Sequence, residues 1–128
     1  MIRVARLARA GAVAALLLVA PAGGCGKRLL SDGEKRAQAG EGVKRFFAAL
    51  PEKDCAVLGP MLAQGDCPAT VDSLQRHEYR LVEVLGAEVD GRDPEAVIVR
   101  VRLLEENGRR REVSLRMEHH PGGWKLRL

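Results

Sequence analysis

Three cysteines, three histidines and a carboxylate set among apolar residues are the groups in this 128-residue chain whose types and spacing could do chemistry. Cys55 and Cys67 would close a loop of just over a dozen residues if paired. The spacing is not Cys-x-x-Cys, and no histidine lies between or beside them. A structural disulfide is therefore favoured over a redox pair or a metal site, and chain entropy puts its worth near ~3 kcal/mol. That pairing leaves Cys25 over, an odd thiol that needs its own explanation.

Glu83 lies between Leu81 and Leu85 on an alternation that also contains Ala87 and Val89. An unbroken strand register turns it inward, where burial would make its carboxylate a general base. A bulge near Val84 would turn it outward instead, and the cost of burying an isolated carboxylate favours the bulge. His119 continues the Val113, Leu115, Met117 face and is the histidine that could sit beside such a base, whereas His120 leaves the strand on the other side. Neighbours on a strand point apart, so the two cannot comfortably ligate one metal. His77, before Glu78, reads as a solvated junction. The chain carries no phosphate-cradling loop, no His-Glu-x-x-His and no Ser-His-Asp order, so no metal or cofactor is expected.

Charge narrows the classes further. The formal net charge is +4 and the pI about 9.3, but three of the 21 basic residues, Arg3, Arg6 and Arg9, precede residue 25 and none of the 17 acidic ones do. The remainder, 18 basic against 17 acidic residues, has no global field to attract nucleic acid. Arg109, Arg110 and Arg111 form the one dense cluster, just after Asn107-Gly108. Such a run at a turn is usually solvated; contact with an anionic surface is its sharper reading. The aromatics Phe46, Phe47, Tyr79 and Trp124 all fall where a core is expected, which leaves no stacking platform.

The elements that must position these residues divide into a helical half and a strand half. Val43, Phe46, Phe47 and Leu50 have helical spacing, and Pro51 ends or bends that helix. A short second helix carries Ala56, Val57 and Leu58, with an interruption at Gly59-Pro60, and Pro68 opens a third through Val71 and Leu74. From Glu78 onward the period becomes alternating: residues 79–89 with a bend at Gly86, then Val97, Val99, Val101 and Leu103, then Val113, Leu115 and Met117, then Trp124, Leu126 and Leu128. Asn107-Gly108 supplies the positive φ of a hairpin turn, and Pro121-Gly122-Gly123 turns the chain again. The expectation is an α+β fold, N-terminal helices packed on a curved four-stranded antiparallel meander with one apolar face. Trp124 is expected beneath the first helix near Phe46 or Phe47, on a last strand paired with residues 113–117.

Residues 1–24 have the order of a secretory signal: the three arginines, an apolar run over residues 10–20, then Pro21-Ala22-Gly23-Gly24. The apolar run is too short for a permanent membrane span. Ala22-Gly23-Gly24-Cys25 resembles the lipobox of bacterial lipoproteins, with Ala22 where that family usually has Leu. The resemblance implies diacylation of the Cys25 sulfur and cleavage before it; ordinary cleavage near Gly24 is the alternative. It also implies a multi-acyl membrane anchor. Gly26, in place of Asp, favours the periplasmic side of the outer membrane. Residues 25–42 then read as the lipidated cysteine and a flexible tether, and 43–128 as one domain.

Helices followed by a meander that closes on Gly122-Gly123-Trp124-Lys125-Leu126 resemble the NTF2-like (cystatin-like) fold of small bacterial lipoproteins, over residues 40–128. That resemblance implies a pocket between sheet and helices, in which some members place an acid for proton transfer. The function expected is a non-enzymatic envelope lipoprotein that binds a protein partner or a small apolar ligand. The alternative is a pocket enzyme of isomerase or hydrolase type, with Glu83 as general base.

Overall fold

Residues 29–128 are described by the computed structural model; the signal-like segment and Cys25 lie outside the described residues. Helix α1 runs over Asp32–Ala49, and its start is written in the sequence as Ser31-x-x-Glu34. The Ser31 hydroxyl oxygen accepts the Glu34 backbone N–H at 3.1 Å and donates to the Glu34 carboxylate at 3.3 Å. Asp32 and Glu34 also place negative charge at the positive end of the helix dipole. Residues 32–42 are therefore helix and not tether. Gly33, Gly40 and Gly42 weaken the helical signal there, but packing overrides propensity because Ala39 and Gly40 are buried along with Val43, Phe46 and Phe47.

Pro51 ends α1 by tightening the chain into a 3-10 turn, Leu50–Glu52, which stops at Lys53 in the left-handed region. Helix α2, Cys55–Leu58, is capped by Asp54, whose carboxylate accepts the Ala56 N–H at 2.9 Å. A second 3-10 turn, Gly59–Met61, follows, and then α3, Cys67–Arg76, with proline in its first turn. Cys55 and Cys67 form a disulfide that ties the starts of α2 and α3 together.

Strands β1 (Arg80–Asp90), β2 (Asp93–Leu104), β3 (Arg110–His120) and β4 (Gly123–Arg127) form one antiparallel sheet in the order β1-β2-β3-β4. Alternation assigns one face to the core: Val97, Val99, Val101 and Leu103 of β2, Leu115 and Met117 of β3, and Leu126 of β4. Helix α1 covers this face and touches all four strands. Leu58, Leu62 and Val71 complete the core from the other helical segments. The outer edge of β4 is partly closed by the chain after the second 3-10 turn, where the Ala63 N–H donates to the Leu126 carbonyl at 2.8 Å.

Two local expectations are revised. In the β2–β3 hairpin only Gly108 takes a positive φ, +78°, and its N–H closes the turn on the Glu105 carbonyl at 3.0 Å. Asn107 contributes its side chain, accepting the Arg109 N–H at 2.9 Å. Strand β4 pairs with residues 116–120 and not 113–117, so Trp124 faces His119. Trp124 is half-buried, and its indole N–H donates to Gln38 at 2.8 Å, two turns of α1 before Phe46. Gly42 is the reason β3 and β4 can come so close to α1: a Cβ there would stand 2.7 Å from the Met117 methyl and 3.6 Å from the Trp124 Cβ.

Candidate functional site

Strand β1 carries three irregularities against β2, between Leu81 and Glu83, between Val84 and Gly86, and between Val89 and Asp90. The first inserts a residue, leaves Val82 43 % exposed and sets Glu83 opposite Arg102 on the outer face, while Val84 returns inward opposite Val101. Glu83 forms an ion pair with Arg102, which also donates to Glu112 at 3.1 Å. Glu83 therefore sits half-exposed on the face the helices do not cover, and not in a pocket between sheet and helices. The space between α1 and the sheet is filled by Val43, Phe46, Val97, Val99 and Met117, each at most 1 % exposed.

His119 lies at the other end of the sheet, where β3 ends beside the start of β2. Its ring packs on Trp124 with centroids 4.9 Å apart, and Nδ1 is 3.1 Å from the Glu95 carboxylate. His120 leaves on the opposite side and meets Glu118 at 3.3 Å, so the strand separates the two imidazoles as expected. Around His119 opens a groove of about 730 Å³, walled by Leu29, Leu30, Pro94 and Pro121. Lys35 also lines it, donating to the Pro94 carbonyl at 2.6 Å. Its chemistry is mainly apolar, with a histidine–carboxylate pair at the rim. Among the described residues no group of three histidine, cysteine, aspartate or glutamate side chains is placed to hold a metal.

The strongest electrostatics lie on the outer sheet face. Arg116 donates to Asp90 at 2.6 Å, Asp93 at 2.8 Å and Glu118 at 3.0 Å, and Arg127 donates twice to Glu118. The Arg127 guanidinium, with Arg116 and His120 behind it, lowers Glu118 to about 2 against the desolvation that opposes it. Asp90 is lowered first by the backbone N–H of Arg92 and then by Arg116; Arg116 and Arg127 are raised, with Glu118 the largest cause for each. These shifts come from mutual pairing, and their effect is to brace β1 through β4. Sequence reading missed this brace. Its signal was available in Arg116 and Glu118, two apart on the polar side of β3, opposite a β4 that ends in Arg127.

Arg109, Arg110 and Arg111 are exposed at the β2–β3 hairpin, and Arg111 lies 3.8 Å from Glu105. The hairpin lies at the opposite end of β2 from the Pro94 groove, so the structure does not bring these arginines together with His119, nor either with Glu83. Among the described residues no helix is long and apolar enough to cross a membrane. Set against known proteins, the chain matches no family model, no curated protein and no solved structure.

Proposed function

We propose that this chain is an exported bacterial lipoprotein, held on the periplasmic side of the outer membrane by acyl groups on Cys25, whose domain binds a protein partner in the envelope. The observation that carries the reading is the division of the cysteines. Cys55 and Cys67 pair with each other, which suits an oxidising compartment, and Cys25 is left alone behind an arginine-rich, apolar, small-residue segment. Helix α1 begins only a few residues later, so the domain would sit close to its anchor.

Helices on one face of a four-stranded meander support an NTF2-like relationship for the domain. Between the two ligand classes, the filled space under α1 favours a protein partner over an enclosed apolar molecule. Glu83, tied to Arg102 on the outer face, gives the pocket-enzyme alternative no support.

The test is metabolic labelling with an alkynyl fatty acid. Wild type should be labelled and sediment with membranes, whereas Cys25→Ser should be unlabelled, because a hydroxyl cannot replace the thiol. An unlabelled, wholly soluble wild type would refute the proposal.

A further inference from the structure

The groove beside His119 is walled by Leu29 and Leu30, the first described residues of the chain. Leu29 is 88 % exposed, the most exposed large apolar side chain among the described residues. It lies four positions after Cys25, and a chain of that length spans at most about 14 Å when fully extended. An acylated Cys25 would therefore hold this end of the domain within a short distance of the bilayer surface, whatever path residues 26–28 take.

Two further segments bring exposed apolar groups to the same end: the start of β2 with Pro94, and the β3–β4 turn with Pro121. Charges there are mixed in sign. Lys35 and Arg92 stand with Asp32, Glu34 and Glu95, and several of these are engaged locally, Lys35 by the Pro94 carbonyl, Glu95 by His119 and Glu34 by Ser31. An apolar rim with charges of both signs and no basic excess among the described residues suits the interface of a bilayer more than an anionic polymer.

We infer that the domain rests on the membrane through this groove, with Leu29, Leu30, Pro94 and Pro121 in the lipid interface and the sheet standing away from it. The inference rests on the lipoprotein reading. Its consequence is an orientation. Strand β2 runs from Pro94 at the groove to the hairpin, and at about 3.3 Å per residue it carries Arg109, Arg110 and Arg111 roughly 35 Å from the membrane. Those arginines then face the compartment, where a partner can reach them, and not the headgroups beneath the anchor.

Trp124 makes the test direct, since it is the only tryptophan and packs on His119 at the groove wall. The full-length lipidated protein is reconstituted in zwitterionic phosphatidylcholine vesicles containing a headgroup spin-labelled lipid, and Trp124 emission is recorded. Acylation and vesicle flotation are scored on the same sample. Strong quenching that persists in high salt is expected. Leu29→Asp, and Pro121→Asp far in sequence from the acylation site, should lose most of it while remaining acylated and floating. Val57→Asp, at an exposed position on α2, should keep it.

An acylated, floating wild type without quenching overturns the resting contact and leaves the lipoprotein reading intact. Quenching abolished by salt, or appearing only when anionic lipid is added, overturns the apolar contact in favour of charge. An unacylated wild type removes both readings together.

Discussion

Arg127 holds Glu118 by two parallel hydrogen bonds, from Nε at 2.7 Å and Nη2 at 2.8 Å, while Arg116 approaches the same carboxylate with its own Nε at 3.0 Å. The pair joins β3 to β4, the shortest strand, which has few backbone bonds of its own. Hydrogen bonds to charged groups typically contribute about 1.5–3 kcal/mol, and a two-pronged guanidinium–carboxylate contact adds geometric specificity.

The acid limb of stability should follow from this pair. Glu118 titrates at about 2 in the folded protein against an ordinary value of 4.5. The unfolded chain takes up the proton first as pH falls, so Glu118 contributes fully above about 4.5 and its contribution is lost progressively down to about 2. Thermal melts across that window should show the decline. Glu118→Gln should cost about 1–3 kcal/mol at neutral pH and flatten the limb, leaving the smaller part due to Asp90, which is lowered in the same direction. An unchanged slope in Glu118→Gln would show that the brace does not operate in solution.

Two glycines of α1 should respond oppositely to alanine. Among the described residues nothing lies within 4 Å of a Cβ at Gly40, so Gly40→Ala should gain helix propensity freely and stabilise by about 0.5–1 kcal/mol. At Gly42 the new methyl meets the Met117 Cε at 2.7 Å, and Met117, at 1 % exposure, has little room to retreat. Overpacking costs about 1–3 kcal/mol, so Gly42→Ala should be net destabilising despite the same propensity gain. Denaturant melts of the two variants decide it, and equal stabilisation in both would mean that α1 sits further from the sheet than described.

These two glycines also explain why the first half of α1 was hidden in the sequence. Alternation in residues 97–103 and 113–117 makes β2 and β3 legible because a half-buried strand must repeat every two residues, and Pro51, Gly59-Pro60 and Pro68 punctuate the helices for steric reasons. Residues 32–42 instead carry three glycines that weaken the helical signal, and only at Gly42 does close packing require one, which is tertiary information. The Ser31–Glu34 capping pair was the one local signal that outweighed it. The candidate site divides in the same way. The disulfide followed from cysteine arithmetic, whereas the fate of Glu83 turned on a one-residue bulge that periodicity cannot place. The groove joins segments remote in sequence, residues 29–30, 94 and 121, so no spacing rule reveals it.

The Cys55–Cys67 disulfide should stabilise the domain by about 3 kcal/mol, as expected for a loop with a sequence separation of 12. Its effect should also be local. The loop it closes contains Ala63, whose N–H holds the edge of β4 through the Leu126 carbonyl. In the Cys55→Ala/Cys67→Ala variant, hydrogen exchange at Ala63 should accelerate more than exchange at Val99 in the sheet centre, which opens only by global unfolding. Equal acceleration at both positions would make the bridge a purely global staple.

Trp124 and Phe46 provide the sharpest test of where the core lies. A tryptophan beneath the middle of α1 would be the largest buried side chain, and its removal would unfold the protein. Trp124 is instead half-buried, packed on His119 and tied to Gln38, while Phe46 is fully buried between α1 and the sheet. Phe46→Ala should therefore cost about 3–5 kcal/mol, comparable with the stability of a small domain. Trp124→Ala should cost less, about 2–3 kcal/mol, because part of the ring already meets water and the vacated space opens to solvent. Trp124→Phe keeps most of the contact with His119 but loses the Gln38 hydrogen bond, worth about 1 kcal/mol. The predicted order of loss is Phe46→Ala, then Trp124→Ala, then Trp124→Phe, read from urea midpoints by far-ultraviolet circular dichroism. If Trp124→Ala proved the most damaging of the three, the indole would have to lie deeper under α1, and β4 would have to pair with β3 in a different register.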